Sequence, residues 1–358
     1  MMNQEFEPAC RRMEWLDPFY KAVWEKAFAD AIPISGTFEL TPRCNFACRM
    51  CYVHLKEEEI PKYGKEFTAK EWIQIAQEAK DAGTTWLCIT GGEPLTHPEF
   101  ETIWKELSQM GFFITLQTNA SLIKGRMAEL LERYPPKRVK VTLYGTNDDV
   151  YQKVCRVEKG FTRTDAGIRT LKEMKIPIDL VSTVIRQNQD DVMKMAFYAY
   201  IHGLSWAGTG NIRKSVRGAD YDVQDFLIKE SSREPGGTII QSDPAKKKVM
   251  DMNRKPCMYC RDYRVGYWVL WNGTMSFCSF INETGLSIRK LPFPEAWKRL
   301  VELEDALEWP EECHGCTVKN ECIKCAATLA TECGSLSKVN KEFCDKVKNK
   351  VRDRRKIV

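Results

Sequence analysis

The sequence predicts an α/β fold, in which a parallel sheet is covered by helices and followed by a small cysteine-rich C-terminal region. Apolar strand-like runs alternate with amphipathic helix patterns between residues 37 and 212. The cysteines are concentrated in a short loop near the start of this stretch and in the last third of the chain. With 358 residues, 43% of them hydrophobic, the chain can bury one large core and a smaller one.

Six apolar runs predict the strands of the sheet: Thr37–Leu40, Trp86–Thr90, Phe113–Gln117, Val139–Leu143, Ile178–Ile185 and Ser205–Ile212. The clearest helix pattern between them has a capping-box pair, Thr68 and Glu71, at its start and Gly83 after its end. The helices predicted from these patterns are Thr68–Ala82, about Thr164–Lys175, and about Asp190–His202, which stops at Gly203.

The first predicted strand is followed directly by Cys44, Cys48 and Cys51, with CxxxCxxC spacing. Three thiolates leave one iron of a four-iron cluster open to a small molecule, whereas an electron carrier closes all four positions. Zinc is the alternative, but it requires a fourth ligand, and only His54 lies nearby in sequence. The loop therefore favours an enzyme.

The second predicted strand ends in Thr90-Gly-Gly-Glu-Pro94. Glycines at a strand end permit close approach of the backbone to a ligand. Because the carboxyl ends of parallel strands form the active-site face of a barrel, this turn and the cysteine loop are expected on the same face.

The cysteine loop and the Gly-Gly-Glu-Pro turn together resemble the motifs of the radical S-adenosylmethionine (SAM) enzymes. The aromatic residue usual before the third cysteine is Met50 here, and methionine can fill such a gap. The resemblance implies a partial (β/α)6 barrel, open on one side. It also implies that the open iron binds SAM, and that one electron cleaves SAM to methionine and a 5′-deoxyadenosyl radical.

The resemblance further implies the SAM contacts. The turn would bind the SAM amino group, and polar residues at later strand ends would bind its ribose and carboxylate, although each of these could instead cap a helix. The predicted SAM-binding residues are Gly91, Gly92, Glu93, Pro94, Thr118, Asn119, Ser182 and Asn188. Arg186 and Arg213 are further candidates for the carboxylate, and no catalytic residue is assigned.

The rear cysteines resemble the SPASM extension of radical SAM enzymes, which binds two auxiliary [4Fe–4S] clusters. By position, one cluster would be held by Cys257, Cys260, Cys278 and Cys325, and the other by Cys313, Cys316, Cys322 and Cys344. Only two residues separate Cys322 from Cys325, one fewer than usual, so Cys333 remains an alternative to Cys325. A zinc ribbon is the alternative for the whole region.

Three parts are predicted along the chain: a helical segment (1–36), the barrel (37–240) and the auxiliary cluster region (241–358). Apolar residues within Glu5–Ala31 predict one or two amphipathic helices that cover the barrel or the substrate mouth. Cys88 is expected to be a buried strand residue. Cys10 and Cys155 receive no assignment, and His97 and His314 are expected to be ordinary histidines rather than supports of a cluster.

The resemblance implies an oxidised, cross-linked or epimerised residue in a peptide or peptide-like substrate. Ser279 stands where formylglycine-forming members have an aspartate, which disfavours that reaction. A small metabolite such as an aminoglycoside is the alternative substrate, and a non-catalytic zinc or iron–sulfur module is a distant alternative. If the product is an epimer, Cys155 or Cys333 is the candidate hydrogen donor.

The implied partners are a flavodoxin- or ferredoxin-type reductant and, because few residues precede the first strand, a separate leader-peptide recognition protein. No apolar run is long enough to span a bilayer, and an oxygen-poor cytoplasm is the expected location. The net charge is +5, and the basic tail from Lys346 to Lys356 is expected to be a solvated helix face rather than a nucleic-acid site.

Overall fold

The computed structural model describes residues 18–210, 212–215, 221–228, 255–281, 284–319, 322 and 325–355. These residues form one sheet whose strands are β1 (Ser35–Glu39), β2 (Trp86–Thr90), β3 (Phe113–Thr118), β4 (Arg138–Thr142), β5 (Ile178–Thr183), β6 (Ser205–Thr209), β7 (Gly266–Val269) and β8 (Met275–Ser276). The helices are α1 (Pro18–Asp30), α2 (Ile60–Tyr63), α3 (Ala69–Asp81), α4 (Phe100–Gln109), α5 (Arg126–Arg133), α6 (Asp148–Cys155), α7 (Gly160–Glu173), α8 (Val192–Ile201), α9 (Phe293–Ala306), α10 (Glu311–His314), α11 (Ala326–Thr328) and α12 (Lys341–Arg355).

The strand order in the sheet is β6-β5-β4-β3-β2-β1-β7-β8. Strands β1 to β6 are parallel, and each pairs with the next in sequence. Within the described residues β6 and β8 do not pair, so the sheet is open. The predicted α/β class and partial barrel are confirmed.

Local sequence patterns predicted most of the strand and helix boundaries. The β2 prediction is correct to the residue, and the capping box between Thr68 and Glu71 is formed at the start of α3. The fifth strand ends before Ile185, because the Ile185 amide donates to the side chain of Asn188 at 2.7 Å instead of to a strand. Helix α7 starts at Gly160, four residues before its predicted start, and glycine disfavours a helix in sequence reasoning.

Strands β7 and β8 were not predicted. β7 lies parallel to β1, so the C-terminal region is hydrogen-bonded directly to the strand that leads into the cysteine loop. Gly36 permits this pairing, because a Cβ there would lie 2.4 Å from the Tyr267 hydroxyl oxygen. The buried Tyr267 ring packs against Phe38, Phe293 and Trp297.

Helix α1 covers the end of the barrel opposite the cysteine loop. Its buried Trp24 packs with Ile34 and Val265, and its ring lies 5.8 Å from that of Trp86 at the start of β2. The expectation that this segment covers the barrel or the substrate mouth is therefore resolved for α1 in favour of the barrel. The part of this segment before residue 18, which contains the apolar residues Met13 and Trp15, lies outside the described residues, as does Cys10. No helix among the described residues is long and apolar enough to cross a membrane.

We expect Tyr267 to attach the C-terminal region to the barrel. Tyr267→Ala should lower the free energy of unfolding by about 3–5 kcal/mol, as for other large aromatic truncations in cores. Tyr267→Phe is the control, since it removes only the 3.0 Å hydrogen bond to Thr84 and should cost about 0.5–1.5 kcal/mol. Urea denaturation measures both, and equal losses for the two variants would show that the ring packing contributes little.

Candidate active site

The carboxyl ends of β2, β3 and β4 and the cysteine loop after β1 surround one cavity. Its described lining consists of Cys44, Phe46, Cys48, Cys51, Thr90, Gly91, Gly92, Gln117, Thr118, Asn119, Thr142 and Tyr144. The three cysteines, both glycines, Thr118 and Asn119 are thus brought together from three separate segments between residues 44 and 119. This is the face on which parallel barrels place their catalytic groups.

The Gly-Gly-Glu-Pro turn is docked on the cysteine loop through the backbone. The Gly92 amide donates to the Thr41 carbonyl at 2.7 Å, and the Glu93 amide donates to the Arg43 carbonyl at 2.8 Å. A Cβ on Gly91 would lie 2.8 Å from the Thr41 oxygen, and one on Gly92 would lie 2.4 Å from the Arg43 oxygen. The glycines therefore allow the two loops to approach each other, whereas sequence reasoning attributed them to approach of a ligand.

Glu93 is fully buried and its carboxylate is used within the protein. One oxygen accepts from the Thr118 hydroxyl at 2.8 Å and from the Leu95 amide at 3.2 Å, and the other accepts from the Asn119 amide at 2.8 Å. Burial raises the pKa of Glu93 to about 7, against the lowering effect of these three donors. The side chain ties the turn that begins at Pro94 to the end of β3.

Asn119 connects β3 to the cysteine loop. Its side-chain amide nitrogen donates to the Asn45 side-chain oxygen at 2.9 Å and lies 4.0 Å from the Cys44 sulfur. Its side-chain oxygen accepts from the Ser121 amide at 2.9 Å and hydroxyl at 2.6 Å. Asn45, the residue after Cys44, was not singled out in the sequence.

Ser182 and Asn188 are not among the described residues that line the cavity. The buried Ser182 hydroxyl donates to the Leu143 carbonyl and accepts from the Trp206 indole nitrogen at 2.8 Å. The Asn188 amide nitrogen donates to the Tyr144 carbonyl at 3.0 Å. Both side chains brace the ends of neighbouring strands rather than capping a helix, and the Asn188 side chain makes no capping hydrogen bond to the turn that follows it.

The two arginine candidates also have other partners. Arg186 donates to the Gln224 carbonyl at 3.0 Å and the Leu227 carbonyl at 3.4 Å. Arg213 contacts the C-terminal region instead.

His97 accepts from the Glu99 amide through Nδ1 at 3.1 Å, so its Nε2 donates to the Phe67 carbonyl at 3.1 Å. His97 is thus a neutral histidine that holds its own turn, as expected.

The cysteine loop is also fixed from the side of α6. The Ala47 and Arg49 amides donate to the carbonyls of Cys155 and Val154, each at 3.0 Å. The pKa of Cys48 is raised well above its usual value, first by a hydrogen bond with the buried Cys155 thiol and then by burial. Sequence reasoning left Cys155 unassigned, because only the tertiary structure brings it to the loop.

The lining fits an iron–sulfur cluster that has three protein ligands. Three soft sulfur donors surround one cavity, which is the donor set of such clusters. Burial raises the pKa of Cys51 to about 11, so a cationic group is required to hold these sulfurs as thiolates. Among the described residues, no three His, Cys, Asp or Glu side chains are placed to hold a single metal ion.

The rear cysteines form two further groups. Cys313, Cys316, Cys322 and Cys344 line a second cavity, which is the set predicted for one auxiliary cluster. In the other group, burial raises the pKa of Cys278 to about 11, and the nearby Cys325 thiol also raises it. The pKa of Cys257 is raised mainly by burial and also by Cys260, Cys278 and Cys325. Cys333 is instead a neighbour of Cys344.

The family comparison identifies the domain around the first cavity. Residues 38–199 match the model of the Radical SAM superfamily. These residues are a radical SAM domain. The predicted family resemblance and the predicted enzyme class are confirmed, and the matched range contains the end of β1, the cysteine loop, the Gly-Gly-Glu-Pro turn and β2 to β5.

Among curated relatives of the radical SAM domain, an AdoMet-dependent heme synthase of Methanosarcina barkeri is 26% identical over 81% of this chain and 90% of that protein. A PqqA peptide cyclase of Ruegeria pomeroyi is 27% identical over 45% of this chain, and the subtilosin biosynthesis protein AlbA of Bacillus subtilis is 28% identical over 46%. The chain spans only 42% and 36% of the latter two proteins.

Solved structures share the fold over most of the chain. Streptococcus suis SuiB bound to S-adenosylmethionine matches with a TM-score of 0.63 and 15% identity over 96% of this chain and 83% of that one. The protein anSMEcpe with bound AdoMet matches with a TM-score of 0.58 and 17% identity over 88% and 95%. At these identities the likeness shows the fold, which includes the C-terminal region as well as the radical SAM domain.

Glu93 predicts a pH dependence of stability. Because its pKa is raised from 4.5 to about 7 by burial, the folded chain binds this proton more tightly than the unfolded chain. Its contribution to the free energy of unfolding is therefore complete below pH 4.5 and is lost as the pH rises to about 7. Denaturation of the wild type and Glu93→Gln across this window should show their difference shrink with rising pH.

Glu71 provides a control of opposite sign. The pKa of its carboxyl is lowered by hydrogen bonds with Thr68 and the charge of Arg289, although burial opposes this. Its stabilising effect is present above the unfolded pKa and is lost as the pH falls, so Glu71→Gln should change the profile at the acid end. If the free energies of unfolding of the wild type and Glu93→Gln changed in parallel with pH, this would contradict the raised pKa of Glu93.

Proposed function

We propose that this radical SAM enzyme abstracts a carbon-bound hydrogen from a peptide or peptide-like substrate, giving an oxidised, cross-linked or epimerised residue. The observation that carries the proposal is the cavity, in which three thiols and the Gly-Gly-Glu-Pro turn meet on the catalytic face of an open barrel. Peptide substrates are supported by relatives that include a PqqA peptide cyclase and AlbA of subtilosin biosynthesis.

We assign the first cluster to Cys44, Cys48 and Cys51, with SAM on the open iron. When bound, this cluster supplies the electron that cleaves SAM to methionine and a 5′-deoxyadenosyl radical. The backbone of Gly91 and Gly92 borders the same cavity and would bind the SAM amino group. Because the Glu93 carboxylate already accepts from three donors, we infer that it positions Thr118 and Asn119 for SAM rather than binding SAM itself.

Other lining residues would shape the site for a radical. Phe46, Thr142 and Tyr144 form part of the cavity wall, and the half-buried Tyr144 stays protonated because desolvation and nearby thiols raise its pKa well above the usual value. The described lining contains no Lys, Arg, Asp or Glu side chain, so it offers no charged group to the reacting carbon. The side chain that is attacked would enter through the open side of the sheet.

We propose two auxiliary [4Fe–4S] clusters in region 241–358, one on Cys257, Cys260, Cys278 and Cys325 and one on Cys313, Cys316, Cys322 and Cys344. Each set supplies four sulfurs, which suits electron transfer rather than substrate binding. Cys325 is preferred to Cys333 as a ligand because Cys325 is close enough to raise the pKa values of Cys257 and Cys278, whereas Cys333 raises that of Cys344. A flavodoxin- or ferredoxin-type reductant and a separate leader-peptide recognition protein are proposed partners.

A second candidate is supported by one observation. The relative that aligns over the largest share of this chain among those described above is an AdoMet-dependent heme synthase, whereas the peptide-related proteins align over less than half. The same hydrogen abstraction could therefore act on a heme precursor, which belongs to the small-metabolite class of substrates.

Deuterium transfer distinguishes the two candidates. Anaerobically reconstituted protein is incubated with SAM, dithionite and either a deuterated peptide encoded beside its gene or a deuterated porphyrin precursor of heme. The proposal expects deuterium in 5′-deoxyadenosine and a changed peptide mass. Deuterium from the porphyrin alone would establish the second candidate, and absence of 5′-deoxyadenosine under every condition would refute both.

A further inference from the structure

Arg213 reaches from the segment after β6 to the thiol group that contains Cys325. One guanidinium nitrogen donates to the Thr328 hydroxyl oxygen at 2.5 Å, and the other lies 3.6 Å from the Cys325 sulfur. The guanidinium carbon also lies 5.7 Å from the centre of the Phe280 ring, two residues after Cys278. The sequence made Arg213 a further candidate for the SAM carboxylate, but the structure places it against a rear cysteine.

The position of Arg213 is held by several contacts. Its carbonyl accepts from the Tyr221 hydroxyl at 2.9 Å, and its side chain is half-buried. The Thr328 hydroxyl that receives one nitrogen lies 3.4 Å from the same Cys325 sulfur. Within the described part of the chain, no carboxylate forms an ion pair with Arg213. Its positive charge is thus directed at a sulfur ligand.

Phe280 also connects this region to the first cavity. Its ring centre lies 4.5 Å from that of Tyr52, with an interplanar angle of 33°. Tyr52 directly follows Cys51 in sequence, and Phe280 lies two residues after Cys278. A single aromatic contact therefore joins a ligand-bearing loop of the first cluster to a ligand-bearing loop of the neighbouring auxiliary group.

We propose that Arg213 is a positioning residue that raises the reduction potential of the auxiliary cluster on Cys257, Cys260, Cys278 and Cys325. This inference rests on the proposed function, in which the substrate radical loses one electron and one proton to become an unsaturated or cross-linked product. The cluster gains that electron and one unit of negative charge, and the proton leaves to solvent. Arg213 stabilises the added charge through a charge-assisted hydrogen bond to the Cys325 sulfur.

The Tyr52–Phe280 contact then has a role in the return of the electron. It joins the residue after Cys51 to the residue two positions after Cys278, and Arg213 lies over the Phe280 ring. Arg213 therefore contacts both a proposed ligand of the acceptor cluster and one ring of this aromatic pair.

The test is a redox titration followed by electron paramagnetic resonance on the full-length, anaerobically reconstituted chain. The background variant carries Cys44→Ala, Cys48→Ala and Cys51→Ala, which leaves the two rear clusters, and the cluster on the Cys313 set serves as internal reference. Arg213→Met should lower one of the two midpoint potentials by at least about 59 mV, which is a tenfold change in the one-electron equilibrium. Arg213→Lys should keep most of the wild-type potential.

Arg186→Met is the matched control, because the Arg186 guanidinium donates to backbone carbonyls near residues 224–227 and to no thiol among the described contacts. It should shift neither potential. Unchanged potentials in Arg213→Met, equal shifts of both clusters, or loss of iron in Arg213→Met and Arg213→Lys alike would each overturn the inference. The proposed function is judged separately by 5′-deoxyadenosine formation in the wild type, so the two failures can be distinguished.

Discussion

Replacing Cys48 by alanine should abolish the cleavage of SAM while the chain keeps its fold. Cys48 is one of three sulfurs around the first cavity, and its loop is held by backbone hydrogen bonds to α6 and by the Gly-Gly-Glu-Pro turn that do not depend on the thiol. Removal of one of three ligands leaves too few sulfurs to retain a four-iron cluster. Iron content should fall by about a third, from three four-iron clusters to two.

Liquid chromatography of 5′-deoxyadenosine after incubation with SAM and dithionite checks this result, together with an iron assay. Cys88→Ala is the matched control, because Cys88 lies within β2 and is not among the described residues that line either thiol cavity. Cys88→Ala should keep both iron and SAM cleavage. Cleavage at the wild-type rate by Cys48→Ala would remove the first cavity from consideration as the SAM site.

Gly92→Ala should empty the first cluster site without changing any ligand. The added Cβ would lie 2.4 Å from the Arg43 carbonyl oxygen and 2.8 Å from that of Pro42, and both are backbone atoms that no rotamer change can move away. The cysteine loop must shift, which costs about 1–3 kcal/mol as in other overpacked sites. We expect loss of about one third of the iron, with loss of SAM cleavage and a lower midpoint of thermal unfolding.

The control for Gly92→Ala must be a glycine substitution that also lowers stability but lies away from the cysteine loop. Gly203, after α8, has a φ of +66°, and no described atom lies within 4 Å of the position that an added Cβ would take, so Gly203→Ala strains only its own backbone. Gly203→Ala should lower stability and retain all iron. If both variants lose iron equally, general destabilisation rather than displacement of the cysteine loop explains the result.

The cysteine loop and the Gly-Gly-Glu-Pro turn could be placed together from sequence because each follows one of two consecutive parallel strands. Both motifs are contiguous, and the carboxyl ends of neighbouring parallel strands lie side by side. The pairing of β1 with β2 was therefore enough to assemble most of the cavity.

The hydrogen-bond partners of the other polar residues could not be predicted from their position near a strand end. Ser182 was chosen because a polar side chain at a strand end inside a barrel must find a partner, and Arg213 because its charge could pair with the SAM carboxylate. Which partner each side chain finds depends on distant residues, Trp206 for the serine and Thr328 for the arginine. Cys155 and Tyr144 were missed for the same reason, since neither belongs to a spaced motif.

The pairing of β1 with β7 has a consequence for how the enzyme is made. These strands begin at Ser35 and Gly266, so the partner of β1 leaves the ribosome long after β1 itself. At about 5–20 residues per second, the strand bearing the cysteine loop remains a sheet edge for roughly 10–50 s of synthesis. During that interval the nascent chain presents an unpaired strand edge beside the three thiols of the cysteine loop, and protection of that edge becomes a task for the cell's folding machinery.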